Sequence, residues 1–431
     1  MTGDHRSAKF AFACGMLALL LLPGAAGANG YAVVYSFAGG NDGAAPEAGL
    51  YPDSAGNLYG TTLVGGDTNS VCGDQGCGAV FKVSPDGTET VLYAFTGGND
   101  GAGPLAGLIV DAAGNLVGTT GSGGKYGFYG GGTVFLVAPD NSEKTLYSFC
   151  ANCRRGSNPY AGVIADSAGN LYGTTRSGGN ERSSYCQPQG CGTVFEVTTD
   201  GKETVLHTFG ARRDSAGPHA ALYEDGAGNL YGTTVGGGGK GCGGYGCGTV
   251  FKVAPDGTET ILHAFKGGRQ DGTNPYARLI PDSAGNLYST TYQGGAYARG
   301  TIFRIATDGT FSLLYSFKGH GDGEFPETGL LLDASGNLYG TAVFGGTGIV
   351  HRRYHGPHGG GTIFEFSANG TETVLYSFCS VYYQCTDGAL PYADLTWKGG
   401  DQTALYGTAS QGGANHDGVV FSYTLTPGKK K

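Results

Sequence analysis

Three features of this sequence predict an all-β fold, a seven-bladed β-propeller with four antiparallel strands per blade. Glycine supplies 85 of the 431 residues, about three times its usual share. Sequence units recur seven times in register. Each unit carries four short strand signals bounded by turn residues. The same composition excludes other classes. Glycine at this density would cost about 1 kcal/mol at every helical site. It lacks the strict three-residue period of collagen. Hydrophobic residues reach 39%, with 27 Tyr and 21 Phe, which is too much apolar surface for a disordered chain. Basic residues number 26 against 35 acidic ones, a net charge of −9, so a basic nucleic-acid-binding stripe is ruled out.

The first element is not part of the fold. Arg6 and Lys9 precede an apolar run from Phe10 to Leu22, and Ala26, Gly27 and Ala28 supply small residues for cleavage. Residues 1–28 therefore read as a secretory signal peptide. The propeller is expected over residues 29–425. Pro427 to Lys431 form a short basic tail over 426–431. No later apolar run is long enough for a membrane helix. The mature chain is expected to be exported and monomeric.

The repeat begins with Asp-x-x-Gly-Asn-Leu, at Asp53, Asp111, Asp166, Asp225, Asp282 and Asp333, with a degenerate seventh copy at Ala404 to Thr408. A Gly-Gly pair follows in every copy, starting at Gly65, Gly123, Gly178, Gly236, Gly294, Gly345 and Gly412. Strands containing Val80-Phe81 and its six counterparts come next, then strands ending at Phe37, Phe95, Phe149, Phe209, Phe265, Phe317 and Phe378. Such a period means stacked supersecondary units. In the first full unit, strands are expected at about Ala48–Pro52, Leu58–Thr62, Ala79–Val83 and Thr90–Phe95. Their side chains are apolar on both faces, so each sheet must be covered on both sides, as in a radial array of blades.

The order of the strands also predicts closure. The mature chain opens with a fourth-strand copy, Tyr31–Phe37, and ends with a third-strand copy, Gly418–Tyr423. The N-terminal strand thus completes the last blade and leaves no open edge.

Of eleven cysteines, ten remain beyond the signal peptide. They fall into five local pairs: Cys72/Cys77, Cys150/Cys153, Cys186/Cys191, Cys242/Cys247 and Cys379/Cys385. An even count in an exported chain reads as disulfides. Zinc is the rival reading, but only Cys150/Cys153 has the knuckle spacing, and a structural site wants four ligands. No metal or other cofactor is expected.

These motifs, as in Asp282-Ser283-Ala284-Gly285-Asn286-Leu287-Tyr288 and Gly248-Thr249-Val250-Phe251-Lys252-Val253, resemble the GloVer tandem repeat over about residues 31–424. The blade order is similar to NHL-type propellers. The resemblance implies a bacterial exported protein and no particular reaction. Anchored members of that family carry an apolar C-terminal segment; none follows Tyr423, which favours a soluble product.

Within a blade the loops alternate between two ends. The Asp-x-x-Gly-Asn and Pro-Asp-Gly turns share one end. The long variable loops, with all five cysteine pairs, share the other, where a scaffold places binding. Each blade-linking proline is followed by one residue near the channel mouth: Glu47, Leu105, Tyr160, His219, Tyr276, Glu327 or Tyr392. Two residues on stand Gly49, Gly107, Gly162, Ala221, Arg278, Gly329 and Asp394. Arg278 and Asp394 break the run of small residues; they serve a polar ligand or pair with each other. Tyr160, Tyr276, Tyr392 and Trp397 offer flat faces for a sugar ring or for packing. The candidate ligand-binding set is therefore Tyr160, His219, Tyr276, Arg278, Tyr392, Asp394 and Trp397.

Two tempting signals read as ordinary structure. His351, His355 and His358 share a loop with Arg352 and Arg353, which repel a cation. The Asp-Gly loops at Asp42, Asp100, Asp271, Asp322 and Asp387 lack the alternating acids of a calcium loop. No nucleophile elbow or zinc-protease motif occurs, so no catalytic residue is assigned. The sequence points to an exported binding module with a glycan or cell-envelope ligand on the disulfide-rich face. The alternatives are a protein-interaction or structural surface protein, or a glycan-active enzyme using Glu47, Glu327 and Asp394.

Overall fold

The computed structural model describes residues 30–425 except 69–70, 152–153, 180–185, 187–188, 211–213, 349–358, 381–383 and 400–401. The expected signal peptide and basic tail, Cys153 and the His351/His355/His358 cluster lie outside the described residues.

Seven antiparallel sheets, six of four strands and one of five, form the blades of a β-propeller. The first blade runs Tyr51–Pro52, Leu58–Thr62, Ala79–Val83, Glu89–Ala94. The second and third strands fall where the sequence placed them. The ring closes as expected: Tyr31–Ser36 pairs with Val419–Thr424, in register from Tyr31↔Tyr423 to Ser36↔Val419. That interlock ties the two chain ends into one sheet. Among the described residues the only helical elements are single 3-10 turns at Gly40–Asp42, Gly73–Gln75 and Cys242–Gly244.

The innermost strand is shorter than expected. Ala48–Pro52 contributes only Tyr51–Pro52 to the ladder, paired with Tyr59 and Leu58. Its leading residues bond sideways instead. The Ala48 carbonyl accepts the Thr408 hydroxyl of the last blade at 3.2 Å. The same bond recurs around the ring: Thr61, Thr119, Thr174, Thr233, Thr290 and Thr341 each donate to the next blade's inner segment. One buried threonine per blade thus replaces part of the missing ladder.

Between blades the aromatic residues interlock. Phe37 meets Phe81 edge-on at 5.1 Å, and Phe95 meets Phe135 at 4.9 Å. Both partners of each pair are fully buried. This explains why the strands are apolar on both faces: every sheet is covered by a neighbour on each side.

The glycine pairs have a steric role. The linker entering each blade clips against the Gly-Gly loop, as at Ala44↔Val64 and Ala389↔Gln411. A Cβ on Gly65, whose φ is +83°, would lie 2.4 Å from the Gly43 Cα. Only glycine permits that approach. In the fourth blade the clip lengthens to a strand, Ser215–Pro218, paired with Leu230–Gly237.

The expected disulfides Cys72–Cys77, Cys186–Cys191, Cys242–Cys247 and Cys379–Cys385 are formed. Cys150 is also disulfide-bonded.

Candidate functional site

The seven inner segments surround an axial cavity of about 180 Å³ on the end that carries the disulfide loops. A dry apolar cavity of about 150 Å³ accommodates a benzene ring, so this one has room for a single ring-sized ligand. Its walls are Glu47, Leu105, Tyr160, His219, Tyr276, Glu327 and Tyr392, with the small residues and the Arg278 and Asp394 side chains below. Six of the seven candidate residues therefore converge here. Trp397 does not line the cavity. It lies on the first strand of the last blade, edge-on to the Tyr339 ring at 5.5 Å, in the packing between blades.

One side of the cavity is aromatic. His219 lies between Tyr160, at 5.5 Å, and Tyr276, at 4.9 Å, edge-on to both rings. Tyr292 packs on Tyr276 at 5.6 Å, and the Arg176 guanidinium caps the Tyr160 ring at 5.3 Å. Burial pushes the His219 imidazole down to about 4, helped by the Arg176 charge, so it is neutral at pH 7. The opposite side is acidic. Burial pushes both Glu47 and Glu327 up to about 7, and the charge on Glu47 adds to the shift of Glu327. These acids exchange a hydrogen-bond donor for an anion near neutral pH. Burial also raises the Tyr392 hydroxyl, with the charges of Glu327 and Glu47 behind it.

Arg278 and Asp394 pair with each other, Nε to Oδ2 at 2.6 Å. The pair spans from the fifth blade to the seventh across the sixth. There Gly329 donates its N–H to Asp394 Oδ1 at 2.5 Å, and a Cβ on it would meet Arg278 Cγ at 2.7 Å. Ser289, which replaces the glycine of the other LYGT and LVGT strands, donates its hydroxyl to the Arg278 carbonyl at 3.0 Å. Both charged side chains keep about a third of their surface exposed, so the pair also forms a polar floor.

Sequence reasoning missed Arg176 and Tyr292. Both follow the second strand, where the other blades place Leu63, Gly121, Val235, Val343 and Ser410. Aligning that position across the seven copies would have singled them out, because it borders the cavity rim. Glu47 and Glu327 were noticed only as possible acids; their burial was not legible.

The profile of the Gloeobacter/Verrucomicrobia repeat matches residues 25–245 and 240–431, so the chain belongs to that family. Comparison with curated proteins finds no match. Among solved structures, a gluconolactonase from Xanthomonas campestris is similar at 15% identity and a TM-score of 0.39, covering 73% of this chain and 83% of its own. A luciferin-regenerating enzyme is similar at 13% identity and a TM-score of 0.40, covering 89% and 93%. A puromycin hydrolase is similar at 13% identity and a TM-score of 0.45, covering 83% of this chain and 49% of its own.

Proposed function

We propose that this protein is an exported binding module whose axial cavity takes one saccharide unit of a glycan or cell-envelope component. The observation that carries the reading is the convergence of three tyrosines, a neutral histidine and two partly buried carboxyls on one ring-sized cavity. Tyrosine faces stack on the apolar faces of sugar rings, and carboxyls bond their hydroxyl or amino groups. The signal peptide and the disulfide-closed loops support export. The test is calorimetric titration of the oxidised mature protein with glycans that bind it. Tyr276→Ala and Tyr392→Ala are each expected to weaken binding about tenfold or more, about 1.4 kcal/mol. Binding that ignores both changes, or a stable protein partner with no sugar dependence, would overturn the reading.

Two carboxyls shifted to about 7 in one cavity favour a second reading, acid–base cleavage of a glycan. Polysaccharide turnover abolished by Glu47→Gln and Glu327→Gln would support it over binding alone.

A further inference from the structure

Away from the axial cavity, the seams between blades repeat one polar arrangement. A tyrosine on the outer strand of one blade donates its hydroxyl to the aspartate of the following linker: Tyr35 to Asp42 at 2.7 Å, Tyr93 to Asp100 at 3.0 Å, Tyr315 to Asp322 at 2.9 Å. A glutamate from the next blade faces that aspartate, as Glu89 faces Asp42 and Glu372 faces Asp322. The tyrosine hydroxyl supplies one hydrogen to this pair of carboxyls.

At the seam between the third and fourth blades His207 stands in the tyrosine's place. Its Nδ1 lies 3.1 Å from the Gly257 carbonyl, an acceptor, so in the neutral ring Nδ1 carries the hydrogen and Nε2 presents a lone pair. Nε2 is buried without a hydrogen-bond partner. It lies 3.5 Å from Glu259 Oε2, beyond the 2.7–2.9 Å of a charge-assisted bond. Asp214 is fixed by the Gly210 N–H at 2.7 Å, and Glu259 Oε1 by the Ser215 hydroxyl. One ligand atom from each of His207, Asp214 and Glu259 lies within 4.8 Å of the others. Three groups able to ligate a metal ion therefore converge at this seam.

The second histidine seam shows what is special here. His263 bonds Asp271 at 3.2 Å, but Phe311 fills the glutamate position and stacks on the imidazole at 3.9 Å. That seam offers two ligands, not three.

We propose that His207 Nε2, Asp214 and Glu259 bind a first-row divalent ion of the zinc type, with a fourth position for water or the Ser215 hydroxyl. Two donors about 2.1 Å from a tetrahedral ion stand about 3.4 Å apart, which matches the Nε2–Oε2 separation. One nitrogen with carboxylate oxygens suits zinc, manganese or cobalt better than calcium. The Nδ1–H bond to a backbone carbonyl is the support that metal-bound histidines use. The ion would join two blades and act on stability rather than on the axial cavity.

The test titrates the oxidised, untagged mature protein with Zn²⁺ by calorimetry, and with Co²⁺ by visible absorption. One equivalent is expected, with a rise in melting temperature that grows with free ion. His207→Tyr restores the residue of the tyrosine seams and so keeps the fold; it and Glu259→Gln are each expected to weaken binding at least about a hundredfold and to remove the cobalt bands. No stoichiometric binding by the wild type would overturn the proposal. So would an equivalent retained in both variants, which would place the ion elsewhere, for instance on the His351–His358 loop.

Discussion

Replacing Glu47 by glutamine is expected to stabilise the protein at pH 8 and to do little at pH 4. Glu47 has an ordinary value of 4.5 that burial raises to about 7. Between those values the folded chain holds a proton that the unfolded chain has released. Stability therefore falls as pH rises from 4.5 to 7 and stays flat above, where both forms are ionised. The burial penalty of the anion is roughly 3 kcal/mol at pH 8. Glutamine keeps the shape and hydrogen bonding without the charge, and it also removes the repulsion that Glu47 exerts on Glu327. For a chain of this size the unfolding entropy is roughly 0.8 kcal/mol/K, so the gain corresponds to a rise of about 4 °C in melting temperature. The assay is differential scanning calorimetry of wild type and Glu47→Gln in steps from pH 4 to pH 9. A melting-temperature difference that stays constant across this range would refute the argument, because it would show that Glu47 ionises as readily in the fold as outside it.

Thr408→Val removes the hydroxyl that bonds the Ala48 carbonyl across the closing seam; a loss of about 1–2 kcal/mol is expected in denaturant unfolding. Gly65→Ala places a Cβ 2.4 Å from the Gly43 Cα at a φ of +83°, and a loss of more than about 2 kcal/mol is expected by the same measurement. Alkylation of the unreduced mature protein should label no thiol by intact mass, and removing Cys72–Cys77 should cost about 2 kcal/mol, since it closes a short loop.

The blade strands were legible because each repeats seven times with the same turn residues. Leu58–Thr62 and Ala79–Val83 are read off the motif directly. The inner strand was overextended because its apolar pattern does not reveal that its carbonyls bond sideways to a threonine of another blade. The cavity ring was legible for a similar reason: one position after each blade-linking proline repeats, so its side chains must converge wherever the blades do. Trp397 stands apart from the ring because, five residues beyond Tyr392, it already lies on the strand, where it packs on Tyr339. The Arg278–Asp394 pair was foreseen as an option, but the gap left by Gly329 that lets them meet was not. The His207 seam left no local signal, because its three side chains come from an outer strand, a linker and the next blade's outer strand.

The measurement that tests the central claim most directly is a glycan array probed with the oxidised mature protein, with and without calcium. Wild type would be run beside Tyr276→Ala and Glu327→Gln. The axial-cavity account predicts selective binding to a defined glycan set, lost in both variants and indifferent to calcium. A blank array for the wild type, or binding that survives both changes, would contradict it.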